Sequence, residues 1–132
     1  MSKSISVLVV DDHKILREKL VGLLHTESGI EVVGEAANGL QAIALAGKIE
    51  PAVIIMDVNM PGMSGIEATR TILSRGREVK AIGFSMRVDH NVATAMREAG
   101  AVAHLAKGVP PEDLIAAIRA CTLSITSGER TV

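Results

Sequence analysis

Apolar residues along the chain fall into short unbroken runs that alternate with helical stripes, five times in succession. Ala52-Val53-Ile54-Ile55-Met56 is five apolar residues ending on Asp57, and Ile5-Ser6-Val7-Leu8-Val9-Val10 ends on Asp11-Asp12. Runs of this kind read as strands buried on both faces, the signature of a parallel sheet. Between them, Ile15, Leu16, Leu20, Leu23 and Leu24 recur at helical spacing, and Gly29 closes that segment. Residues 31–37 form a more polar strand, placed nearer an edge. Asn38-Gly39 is a turn or cap, and Leu40, Ile43 and Ala44 open a second stripe. Gly47 falls on that stripe, where it either lets the helix pack closely or ends it. The loop 58–65, with one proline and two glycines, leads into a helix with Ile66, Thr69, Ile72 and Leu73 inward. Val79 to Phe84 is a fourth strand ending on Ser85. Val92, Met96 and Ala99 mark a helix stopped by Gly100. Val102 to Leu105 is a short fifth strand leading to Lys107. Pro110-Pro111-Glu112-Asp113 opens the last helix, with acids at the positive end of its dipole and Leu114, Ile115, Ile118 and Cys121 inward.

Repeated βα units imply an α/β fold, a five-stranded parallel sheet with helices on both faces and right-handed crossovers. The predicted division is one domain over residues 1–121, followed by a Ser/Thr-rich tail or linker start over 122–132. At 132 residues the chain can bury a full core, and with Phe84 its single aromatic that core is aliphatic. Fourteen basic residues against fifteen acids leave a net charge of −1, which excludes broad electrostatic attraction to nucleic acid. One cysteine forms no internal disulfide, as expected of a reducing cytoplasm. The apolar run before Asp11 is too short for a signal peptide or membrane span, so a cytoplasmic chain without a membrane partner is expected.

In such a sheet every strand's carboxyl end lies on one edge, where α/β folds place their chemistry. Asp11, Asp12, Asp57, Ser85 and Lys107 meet there. Two carboxylates about 4 Å apart repel by roughly 4 kcal/mol at an effective dielectric near 20. Three need a cation, and oxygen ligands at this density suit Mg²⁺. Lys107 supplies a mobile positive charge and Ser85 a hydrogen-bond donor for an anion that the metal also favours, phosphate. The parts describe phosphoryl transfer to a carboxylate, with an acyl phosphate forming on Asp57.

Across residues 4–120 the chain resembles the receiver domains of two-component response regulators. The resemblance rests on Asp11-Asp12, on Asp57 with Met60-Pro61-Gly62-Met63-Ser64-Gly65, on Ser85 and on Lys107. Val10-Asp11-Asp12-His13 and Leu105-Ala106-Lys107-Gly108 are similar to receivers that precede helix-turn-helix DNA-binding domains. The resemblance implies a flavodoxin-like (βα)5 fold with strand order 2-1-3-4-5. It implies that Asp57 accepts phosphate from a sensor histidine kinase or phosphotransfer protein. Asp12, Asp57 and the Asn59 carbonyl would hold Mg²⁺, with Asp11 acting through water. Lys107, Ser85 and the Met86 N–H would bind the phosphate, and movement of Ser85 would reshape the surface of the fourth helix, fifth strand and fifth helix. The only catalysis implied is the domain's own phosphorylation and dephosphorylation, so it is not an enzyme in the ordinary sense. Homodimers would form on phosphorylation, and DNA would be met only through an effector domain outside this chain, controlling transcription.

Two positions depart from the receiver pattern. Met86 stands where a small residue is usual, and its flexible side chain can crowd the phosphate or slow donor access. His104 replaces the usual strand-five aromatic. Burial disfavours a charged imidazole, so only neutral His104 is expected to turn inward, and acid to oppose activation.

Singly, each residue has a plainer reading: Asp11 or Asp12 as a helix N-cap, Asp57 as a loop acid, Ser85 as a strand-end hydroxyl, Lys107 as a solvated cation. His13, His25 and His90 have no partners in the sequence suggesting a metal, so surface or capping roles are expected. Three other functions are weaker. A phosphohydrolase using Asp57-Val58-Asn59 lacks the second carboxyl, since an amide cannot carry the proton. A phosphate-independent pseudo-receiver leaves the five filled site positions unexplained. Corrinoid binding through Asp11-x-His13 fails at Leu16, where a glycine is required.

Overall fold

A computed structural model describes the backbone of residues 4–76, 78–86 and 88–131, and side chains as far as residue 122. The elements are β1 (Ile5–Val10), α1 (Lys14–His25), β2 (Ile30–Ala36), α2 (Gly39–Ile49), β3 (Val53–Met56), α3 (Gly65–Ser74), β4 (Lys80–Ser85), α4 (His90–Ala99), β5 (Ala103–Ala106) and α5 (Pro111–Thr131). All strand pairs are parallel, in the order β2-β1-β3-β4-β5. The fold class and strand order are those expected.

Continuous apolar strands arise because both faces of the sheet are covered. Leu8, Val10, Ile54 and Met56 face one core, with Ala42 and Ala46 of α2, Ala68 and Ile72 of α3, and Met96 of α4. Their neighbours Val7, Val9, Val53 and Ile55 face the other, with Leu20 and Leu24 of α1 and Leu114, Ile118 and Cys121 of α5. The polar strand β2 does lie at an edge. Gly100 caps α4 at φ 113°, as the predicted stop requires.

Three expectations are corrected. Ile15 and Leu16 are 68% and 39% exposed. They occupy the first turn of α1, and its packing on the sheet begins only with Leu20. Leu40 is 69% exposed and Ala44 is also exposed, because α2 turns its alanines Ala42 and Ala46 to the sheet. An apolar helix offers two competing stripes, and here the smaller residues allow the closer approach. Gly47 neither ends α2, which runs to Ile49, nor makes a close approach, since a Cβ there would meet nothing within 4 Å. The backbone of α5 runs on through residues 122–131. No proline interrupts that stretch.

Candidate functional site

The strand ladders extend one residue beyond the sheet at three points, and this places the site. The Asp11 N–H donates to the Ala36 carbonyl at 3.0 Å and the Asp57 N–H to the Val10 carbonyl at 3.0 Å. The Lys107 N–H donates to the Ser85 carbonyl at 2.8 Å. The side chains of Asp11, Asp57, Ser85 and Lys107 are thereby fixed where the strands end. Asp11, Asp57 and Ser85 are all buried.

Lys107 Nζ donates to Asp11 Oδ2 at 2.7 Å and stands 3.6 Å from Asp57 Oδ2. The lysine thus bridges both acids but bonds the first. Burial alone would raise the Asp11 pKa; the Lys107 bond, the His13 N–H at 2.9 Å on Oδ1 and the adjacent charges outweigh it and hold Asp11 below the carboxylate range. Asp57 behaves oppositely. Burial pushes it up to about 7, Lys107 opposes that rise, and the charges of Asp11 and Asp12 add to it.

Asp12 Oδ1 and Asp57 Oδ2 are buried without a hydrogen-bond partner. One donor atom from each of Asp11, Asp12, His13 and Asp57 can be chosen so that all lie within 4.8 Å of one another. Unpartnered buried carboxylate oxygens at that spacing fit a hard divalent cation. Asn59, two residues after Asp57, is exposed. No Asp side chain caps α1: His13 is the N-cap residue.

Ser85 Oγ and His104 Nε2 are 2.8 Å apart. The imidazole lies against Gly83, where a Cβ would come within 2.9 Å of His104 Cδ2 and 3.2 Å of Met96 Cε. The ring already occupies the inward position in this structure. Its Nδ1 is buried and unpartnered. Burial lowers its pKa, with Asp89 pulling the other way. Met86, by contrast, is 68% exposed and extends into solvent.

Four contributors escaped the sequence reading. A Cβ on Gly65 would collide with the Asp57 carbonyl oxygen, while its N–H closes the loop on the Val58 carbonyl at 2.9 Å, so only glycine fits. The prolyl-glycyl loop signalled a turn there but not this contact. Arg17 donates through Nη1 to the Asp11 carbonyl at 2.7 Å and through Nε to Glu35 at 3.0 Å, bracing the acidic loop against β2. Nothing in its spacing sets it apart from Lys14, Glu18 and Lys19. Gly83 and His13 are the others.

A family model for the response regulator receiver domain matches residues 7–119. The chain belongs to the response regulator receiver family. This receiver is 37% identical to the response regulator UvrY of Escherichia coli (strain K12) over 128 residues, covering 97% of this chain and 57% of UvrY. It therefore spans little more than half the length of that relative. Among solved structures it is similar to a two-component response regulator of the LuxR family from Aurantimonas sp. SI85-9A1, with TM-score 0.85 and 35% identity over 89% of this chain and 84% of the other. A DNA-binding response regulator of the LuxR family from Staphylococcus aureus is similar at TM-score 0.83 and 26% identity, over 89% and 98%. No helix among the described residues is long and apolar enough to cross a membrane.

Proposed function

We propose that this receiver takes a phosphoryl group on Asp57 from a sensor histidine kinase or phosphotransfer protein in the cytoplasm, and thereby controls an effector that regulates transcription. One observation carries the reading. Asp57 directly follows the central strand and carries a buried carboxylate oxygen without a hydrogen-bond partner, close to two further acids and with the Lys107 ammonium 3.6 Å away. Its pKa near 7 leaves a large anionic fraction at neutral pH, able to attack phosphorus.

Asp12, Asp57 and the Asn59 carbonyl would hold Mg²⁺, with Asp11 acting through water. The metal would neutralise charge on the acids and on the transferring phosphate. Lys107 gives its second acid contact, Asp57, over to phosphate oxygens, while Asp11 keeps the ammonium oriented. Ser85 leaves His104 to donate to the same phosphate, together with the Met86 N–H. That exchange alters the surface of α4, β5 and α5, the face through which a homodimer or an effector would respond. The chain turns over no substrate beyond its own aspartyl phosphate. The similar protein from Staphylococcus aureus is a DNA-binding response regulator, which supports a transcriptional output, exerted by residues outside this chain.

Incubation with acetyl phosphate and Mg²⁺ is expected to add one phosphate by intact mass. The product should be labile, as an acyl phosphate is, and absent from Asp57→Ala. An equal, acid-stable phosphate on the variant would overturn the assignment.

A further inference from the structure

His13 places an imidazole nitrogen against the acids. It is the N-cap residue of α1, yet its side chain makes no capping hydrogen bond. Its Nδ1 lies instead 3.3 Å from Asp12 Oδ1 and 3.4 Å from Asp11 Oδ1. A charge-assisted N–H···O bond would be shorter, at about 2.7–2.9 Å. The 3.3 Å separation from Asp12 Oδ1 matches the edge of a tetrahedron of ligands standing ~2.0–2.1 Å from Zn²⁺, an edge of about 3.3 Å, and a donor atom of Asp57 lies within 4.8 Å of both residues' donor atoms.

The oxygens facing that nitrogen point to a ligand independently. Asp12 Oδ1 is buried and unpartnered, and so is Asp57 Oδ2, on a side chain only 5% exposed. Asp11 is less available, because Lys107 and the His13 N–H already occupy its two oxygens. Carboxylates alone suit Mg²⁺, whereas an imidazole in the donor set favours the borderline cations, Zn²⁺ above all where the geometry is tetrahedral.

We infer that His13 converts this edge into a Zn²⁺ site, with His13 Nδ1, Asp12 Oδ1 and Asp57 Oδ2 as protein ligands and water completing the shell. The inference rests on the phosphoacceptor reading, because both cations draw on Asp12 and Asp57. Zn²⁺ and Mg²⁺ therefore exclude each other, and Zn²⁺ engages the oxygen that would attack phosphorus. Zinc acts as an inhibitor of phosphorylation, tuned by a residue outside the acidic set.

The test is calorimetric titration of the full 132-residue chain with Zn²⁺ and with Mg²⁺, each alone and in competition, on wild type, His13→Ala and His13→Asn. Wild type is expected to bind Zn²⁺ about 100-fold or more tightly than Mg²⁺, and each variant to narrow that ratio by about tenfold or more. Thermal unfolding of both variants checks that the fold survives. Histidine side-chain NMR supplies the site-specific readout: His13 resonances should move first as Zn²⁺ is added, ahead of His25, His90 and His104. An unchanged selectivity ratio in both variants, or first movement at another histidine, overturns the inference. Mg²⁺ binding without Zn²⁺ preference overturns it alone, whereas failure to bind either cation overturns the phosphoacceptor reading as well.

Discussion

Asp57 is held in the fold at an energetic loss. Its folded pKa of about 7 lies well above that of a free aspartate, roughly 3.9, so the protonated acid folds more favourably than the carboxylate. That contribution is complete below pH ~3.8 and is lost as pH rises through about 7. Asp57→Asn is therefore expected to raise the Tm by several degrees near pH 8, on the order of a few kcal/mol. The gain should shrink towards pH 5, and saturating Mg²⁺ should narrow it by stabilising wild type alone. A variant no more stable than wild type at pH 8 would show that Asp57 carries no such penalty. His104 has the opposite sign. Its folded pKa lies below 6.5, so the stability it contributes is present above about pH 6.5 and disappears on acidification. Asp89 at the α4 N-cap and Arg97, which shares a 160 Å³ groove with His104, are the charged groups facing it from α4. Urea midpoints at about pH 7.5 and pH 5.5 should fall further for wild type than for His104→Phe. Equal losses would mean that the imidazole stays neutral or solvated throughout.

At the scale of elements, β4 and β5 are matched to each other through one missing side chain. Gly83 pairs in register with His104, and the imidazole fills the space over it. Gly83→Val should expel the ring, break the Ser85 hydrogen bond and cost about 1–3 kcal/mol by overpacking. An unchanged His104 chemical shift in NMR would contradict this. Such pairing explains what the sequence conveyed and what it did not. Strands β1 and β3 were legible because burial on both faces leaves an unbroken apolar run, and the site was legible because every parallel strand delivers its last residue to one edge. The faces of α1 and α2 were not. Their apolar residues outnumber the positions that the sheet can cover, and only packing decides that Ala42 rather than Leu40 goes in. Gly65, Gly83 and Arg17 act on groups distant in sequence or on backbone atoms, which leave no periodic trace. In the sequence His13 has no partner suggesting a metal, yet its Nδ1 lies 3.3 Å and 3.4 Å from the two acids immediately before it.

Over the whole molecule, the groups that would meet phosphate are distributed unevenly across the sheet. The acids follow β1 and β3, Ser85 ends β4 and Lys107 follows β5, whereas β2 contributes the Ala36 carbonyl that accepts from Asp11 and the Glu35 carboxylate that accepts from Arg17. Beryllofluoride with Mg²⁺ is accordingly expected to alter amide exchange in β4, α4 and β5 and to leave α2 and the outer part of β2 unchanged. Equal changes on both flanks would contradict a one-sided response. For anyone wiring the domain into a biosensor, the same lopsidedness fixes where the instrument has to be read. A dye on exposed Lys48 of α2 sits on the dead side of the dial, while one on exposed Asn91 of α4 rides the needle.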